Sequence, residues 1–215
     1  MKRRLNVLCL IIGLVLSYSI LESAYYMTMS FVDGVRIGMD RNNPAVREKA
    51  INMKVVSLMP DNYVEFTDSV YNATSGMYVP VKYSQLIVSV KTPINFWSKV
   101  IVMLSSFTYI FSIIGAIFIF IRLIISINKS HIFIWKNVRR LRWLGAALII
   151  SFVCTAAPQI YAVWELSQVF SLAGYSFYVS EMIPIMTLVL AIVSLIVGEV
   201  FAIGLRLQEE QDLTI

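Results

Sequence analysis

The chain has 215 residues, 58% hydrophobic and only 14% charged, with a mean hydropathy of +0.75. A soluble domain carries roughly 25% charged residues, so the composition excludes one; the deficit is what a bilayer demands, since a charge at its centre costs about 2.5–3.5 kcal/mol. The net charge of +5 gathers at the ends of apolar runs, which points to anionic lipid headgroups and not to direct binding of nucleic acid.

MKRR, Met1–Arg4, precedes the apolar run Leu5–Leu21. That run exceeds a signal-peptide core of about 7–15 residues. An uncleaved first span, about Leu5–Met27, is therefore expected, with Lys2, Arg3 and Arg4 in the cytoplasm. Glu22 then falls near the outer end, beside Tyr25 and Tyr26 of the aromatic belt.

From residue 28 to 95 charges of both signs appear and the apolar runs shorten. Asn43-Pro44 before AVREKA reads as a helix N-cap and first position. Ile51, Met53 and Val55 alternate with polar residues, a strand period. Pro60-Asp61-Asn62 and Asn72-Ala73-Thr74-Ser75-Gly76 are turn signals. Met77–Lys91 has the β-branched and aromatic enrichment of strands, with Pro80 marking an edge or a break. The expectation is a small α/β insert outside the cytoplasm, tethered to the membrane at both ends. Its acids Asp61, Glu65 and Asp68 lack a second cluster that would make a metal site, and no cofactor is expected anywhere.

Phe96–Ile121 returns to the membrane. Val100–Ile121 has no charged residue and is long enough for about 30 Å of hydrocarbon, giving a second span over 96–127. The stretch Arg122–Arg142 then holds Arg122, Lys129, Lys136, Arg139, Arg140 and Arg142 and no acid. Such a segment between apolar runs is a cytoplasmic loop, about 128–142, by the positive-inside bias. His131 in it reads as interfacial rather than as a metal ligand. Trp143–Trp164, again uncharged, is the third span, with Pro158 expected to kink it. Residues 165–181 read as a short outer connection, 182–205 as the fourth span and 206–215 as an acidic cytoplasmic tail. Cys9 and Cys154 both lie in spans and read as small buried residues, not as a redox pair.

Small residues recur at helical spacing on every span: Gly13 and Ser17; Ser105, Thr108, Ser112 and Gly115; Ala147, Ser151 and Thr155; Ala191, Ser194, Gly198 and Ala202. In lipid such faces let helix backbones approach closely. A mainly α membrane protein follows: a four-helix transmembrane bundle with a small β-rich extracytoplasmic domain between helices 1 and 2, both termini cytoplasmic. A polar pore lined by the same hydroxyls is the competing reading, weakened because serine and threonine can bond to their own helix carbonyls.

Two stretches are distinctive. Phe133, Asn137, Arg140, Leu141, Arg142 and Gly145 open the third span, and Glu199, Phe201, Gly204, Glu209, Glu210, Asp212, Leu213, Thr214 and Ile215 close the chain. The two stretches resemble the bacterial membrane family known as domain of unknown function 2975. The resemblance implies a small inner-membrane protein, and a cytosolic helix-turn-helix regulator as a partner.

Glu199 follows the uncharged run Met182–Gly198. An ionisable group in a span points to function and to a partner, here Arg122 or Arg142; the plainer alternative is a packing pair. Glu209, Glu210 and Asp212, with Leu213 and Ile215 beside them, emerge on the side of Arg139, Arg140 and Arg142. They can clamp the tail to the loop, dock a partner, or simply end a solvated helix. The three arginines are topology anchors with anionic-lipid contacts as their functional version. The expected activity is that of a non-enzymatic sensor or regulatory interaction protein, with self-association as a further expectation. The alternative is a small transporter or a membrane-complex subunit, against which stands the lack of an inverted repeat. An intramembrane enzyme ranks last, because no acid–base or nucleophile set lies at membrane depth in the sequence.

Overall fold

A computed structural model describes residues 2–39, 44–66, 68–92, 96–129 and 132–212, with side chains in the first helix described from Val7 onward except at 8, 9, 16, 20 and 23. Among these residues five α-helices and five strands follow one another: α1 (Lys2–Met39), α2 (Pro44–Ile51), β1 (Met53–Pro60), β2 (Asp68–Asn72), β3 (Met77–Val81), β4 (Gln85–Ser89), α3 (Phe96–Asn128), α4 (Trp135–Ser167), β5 (Tyr175–Phe177) and α5 (Ile185–Asp212), with a short 3-10 turn, Val179–Met182, before the last. Among the described residues four helical stretches are long and apolar enough to cross a membrane: Leu10–Met39, Phe96–Asn128, Trp135–Ser167 and Ile185–Asp212. The protein is thus of the multi-pass membrane class.

The helices are longer than their apolar cores. α1 runs on to Met39 instead of ending at Met27, because nothing between Thr28 and Met39 breaks a helix before the Asn42-Asn43-Pro44 signal. α4 starts at Trp135, inside the expected loop, since lysine and arginine are good helix formers. α5 carries the expected tail in its last turns, to Asp212. Pro44 opens α2 as expected; its proposed cap, Asn43, lies outside the described residues, as do His131, Leu213, Thr214 and Ile215, and the side chain of Cys9.

The chain divides into two compact units: Met1–Arg36, Met103–Thr155 and Pro184–Ile215 in one, Ile37–Val102 and Ala156–Ile183 in the other. In the helical unit α5 buries Ala191, Ser194, Gly198, Ala202 and Leu205, a stripe at spacings of three and four. Small side chains there allow close backbone approach. A Cβ on Gly145 of α4 would lie 2.6 Å from Leu195 Cγ and 3.0 Å from the Ala191 carbonyl oxygen; one on Gly198 would lie 3.3 Å from Leu141 Cβ. α3 joins through Ser112, whose Oγ donates to the Ala147 carbonyl at 2.5 Å. Thr108 and Thr155 do bond to their own helices, at Leu104 and Ser151. Ser112 and Ser194 instead donate to a neighbouring helix, so hydroxyls also act as interhelical ties.

α1 differs. Apart from Gly13, every side chain described on it is exposed, and a Cβ on Gly13 would meet nothing within 4 Å. Ser17 donates to the Gly13 carbonyl of its own helix. The small-residue face expected to pack α1 therefore meets no neighbour among the described residues.

The second unit is built on β1. Its first half pairs antiparallel with β4, Met53 opposite Ser89 to Ser57 opposite Gln85. Its second half pairs with β5, Leu58 opposite Phe177 and Pro60 opposite Tyr175, giving the order β4-β1-β5. Residues 165–181 are thus more than a connection: they complete the sheet. β2 and β3 form a separate hairpin in which Pro80 faces Ser69 on a two-stranded, hence edge, ladder. Its turn is the predicted one: Gly76 takes φ +66°, its amide donates to the Asn72 carbonyl, and Asn72 Oδ1 accepts from the Thr74 amide. Val56, Leu58, Leu166 and Tyr175 form the core. Leu166 comes from the last turn of α4, which so contributes Val138 to the helical unit's core and Leu166 to that of the β unit.

Candidate functional site

The distinctive residues of the sequence converge where α4 begins. The amides of Asn137 and Val138 both donate to the Ile134 carbonyl and start the helix. Asn137, fully buried, donates from Nδ2 to the Ile132 carbonyl at 2.9 Å and accepts from Arg140 Nη1 on Oδ1 at 2.9 Å. One amide side chain thereby satisfies a loop carbonyl that would otherwise be an orphan and fixes an arginine. Its burial makes the position intolerant of an apolar replacement that leaves either partner unmet.

Along α4, Arg142 meets Glu199 of α5 twice: Nε to Oε1 at 2.8 Å and Nη2 to Oε2 at 3.0 Å. This is the fork geometry only a guanidinium supplies. One side chain deeper, Ser194 Oγ donates to the Leu141 carbonyl at 3.0 Å. Towards the other end, Phe133 and Phe201 rings lie 5.2 Å apart, and Trp135 Nε1 donates to Glu209 Oε1 at 2.7 Å. A Cβ on Gly204 would come 3.8 Å from Phe133. From Phe133 to Gly145 on one side and Ala191 to Glu209 on the other, these contacts form one continuous seam.

The expected site residues sort accordingly. Glu199 takes Arg142; Arg122 lies instead over the Phe118 ring of its own helix, 4.4 Å from the centroid. The tail does reach back to the start of α4, yet Glu209 accepts from the Trp135 indole and not from an arginine. Arg140 turns inward to Asn137, whereas Arg139 is exposed, as are Glu210 and Asp212. Leu213 and Ile215 lie outside the described residues. Trp135 as a donor to the tail escaped sequence reading, because an interfacial tryptophan needs no partner to account for it.

The β unit holds its own polar chemistry. Tyr175 donates to Asp68 Oδ2 at 2.7 Å and accepts from the Tyr83 amide at 3.3 Å. The bond to Asp68, aided by burial, raises the phenol above its ordinary pKa of 10.0. Asp61 accepts from Ser176 Oγ at 2.6 Å. Asp61 and Asp68 thus hold the β5 segment. Lys91 and Glu48 pair at the surface; their hydrogen bond and then their mutual charge lower the carboxyl and raise the amine.

A cleft of about 440 Å³ opens where β4 leaves β1. Met59, Pro60, Tyr63 and Tyr178 are among the residues that line it, and Lys82 and Glu181 supply its charges. Lys82 Nζ donates to the Asn62 carbonyl at 2.9 Å and sits over the rings of Phe66 and Tyr63, 4.6 and 5.9 Å from the centroids. Glu181 Oε2 accepts from Ser57 Oγ, a hydroxyl only 2% exposed. Nothing in the sequence joins residues 57, 82 and 181; the signal is tertiary.

A family model described as protein of unknown function (DUF2975) matches residues 62–215, more than two-thirds of the chain. No curated protein and no solved structure matches.

Proposed function

The chain belongs to the DUF2975 family, and from that premise we propose that it is a non-enzymatic sensor or regulatory interaction protein of the bacterial inner membrane. In this reading both termini and the segment 128–134 are cytoplasmic, and the β unit lies outside. A signal received by the β unit reaches the cytoplasmic end of the α4–α5 seam, where a cytosolic regulator reads it. The exposed Arg139 and Lys136 rest on anionic headgroups.

The observation that carries this reading is the double use of α4. Its first turn supplies the fully buried Val138 to one core, and its last turn supplies Leu166, 2% exposed, to the other. A helix that contributes side chains to both cores is a physical route by which two sites can be coupled. The seam includes a solvent-open ion pair, Arg142–Glu199, a contact that can be exchanged for water without stranding a buried charge.

Sided labelling tests the topology. With Cys9 and Cys154 replaced, Asn72→Cys should react with an impermeant maleimide on intact cells, and Arg139→Cys only after permeabilisation; the reverse pattern refutes the arrangement. For the activity, deleting the gene should change a limited transcript set that the full chain restores and a chain ending at residue 207 does not. Solute flux in proteoliposomes above that of protein-free vesicles would favour the transporter alternative instead.

A further inference from the structure

We propose that the cleft between Lys82 and Glu181 binds a small zwitterion, a free α-amino acid or a dipeptide carrying both ammonium and carboxylate. The inference supplies the ligand class for the β unit within the sensor reading, though the site stands on geometry of its own.

Two opposite charges line one cleft without neutralising each other. Neither Lys82 nor Glu181 has an ion-pair partner within 4.0 Å among the described residues. Each head is nevertheless held in place. The Asn62 carbonyl and the Phe66 ring hold the Lys82 ammonium, and a buried serine, Ser57, holds the Glu181 carboxylate. Side chains fixed before the ligand arrives spare it the cost of ordering them.

Each head also has capacity left. An ammonium has three donors, of which the Asn62 carbonyl takes one. A carboxylate accepts about four hydrogen bonds, and Ser57 fills one. The complement is a molecule with a carboxylate for Lys82 and an ammonium for Glu181. A singly charged ligand would leave one protein charge unmet. Apart from Ser84, the remaining lining, Leu58, Met59, Pro60, Tyr63, Tyr83 and Tyr178, is apolar or aromatic and suits an apolar side chain. The volume, about 440 Å³, falls in the range of small-ligand sites and is ample for one or two residues. Pro60 lacks an amide hydrogen, which disfavours a longer peptide added as an extra strand.

The test is calorimetric titration of the full chain in lipid nanodiscs. L-phenylalanine, L-leucine and L-phenylalanyl-L-phenylalanine are the probes; N-acetyl-L-phenylalanine and L-phenylalanine amide are the single-charge controls. At least one zwitterion should saturate, with either control weaker by about tenfold or more, because each lacks one charge-assisted contact. Lys82→Gln and Glu181→Gln should each weaken binding by a similar factor while the amide I signature of the sheet persists. If a variant loses that signature, the controls on the unaltered chain decide. No saturation by any of the three up to roughly 10 mM, or equal binding of the single-charge controls, overturns the proposal. Sided labelling is unaffected by either result, so a failed cleft and a failed topology are told apart.

Discussion

Arg142 and Glu199, 57 residues apart in sequence, form a two-point ion pair between α4 and α5, Nε to Oε1 at 2.8 Å and Nη2 to Oε2 at 3.0 Å. Both side chains are partly open, 45% and 59% exposed, so the pair acts by geometry more than by burial. Glu199→Gln should lower the melting temperature in detergent by about 2–4 °C. Arg142→Lys should do the same, because a point charge cannot make the fork. Unchanged melting in both variants would show that the pair does not hold the seam.

Glycine positions separate packed from open helix faces. At Gly145 an added Cβ would stand 2.6 Å from Leu195 Cγ and 3.0 Å from a backbone oxygen, so Gly145→Ala forces the Leu195 side chain or the α4–α5 contact to shift, at about 1–3 kcal/mol. At Gly13 of α1 nothing lies within 4 Å, and Gly13→Ala should be neutral or stabilising by up to about 1 kcal/mol. Chemical unfolding of the two variants side by side checks the contrast; equal effects would contradict it.

The Trp135–Glu209 bond holds the end of α5. Trp135→Phe keeps the ring and removes the donor. Trypsin cleavage after the exposed Arg206 should then speed up by about two- to tenfold, the range of one net hydrogen bond. An unchanged rate would place the restraint elsewhere.

The Glu48–Lys91 pair gives the β unit a defined pH response. Glu48 is lowered from its ordinary 4.5, so its contribution is present above pH 4.5 and lost as pH falls through the lowered value. Lys91 is raised from 10.5, so its contribution is present below pH 10.5 and lost as pH rises through the raised value. Lys91→Met should therefore blunt the loss of melting temperature as pH falls below 4.5. Because both groups are solvent-facing, the difference between variant and parent should fade in high salt. An identical acid limb in the two proteins at low salt would exclude the pair as its source.

Tyr175 should ionise above the ordinary phenol value. Its pKa is raised from 10.0 by the bond to Asp68, so the stability it contributes is complete below pH 10 and lost as pH rises through the raised value. Subtracting the ultraviolet titration of Tyr175→Phe from that of the parent should leave a phenolate step above pH 10. A step at or below that value would mean that Asp68 does not receive the proton in solution.

Some of this was legible in the residues alone and some was not. Spans, their number and the basic segment come from runs of apolar residues and from where charges stop, which are local properties of a chain facing lipid. The Asn72–Gly76 turn and the edge character of Pro80 are local as well, set by backbone conformations that few residues adopt. Helix ends were misread because hydropathy marks where the hydrocarbon ends, while a helix continues until a residue such as Pro44 stops it. The role of 165–181 was hidden because three residues, Tyr175–Phe177, are too few to show a period, and their partner Leu58–Pro60 lies more than a hundred positions away. The sequence narrowed the partner of Glu199 to two arginines. Only the packing of α4 on α5 through Gly145 and Gly198 decided for Arg142, because which side chains meet depends on how closely two backbones can come.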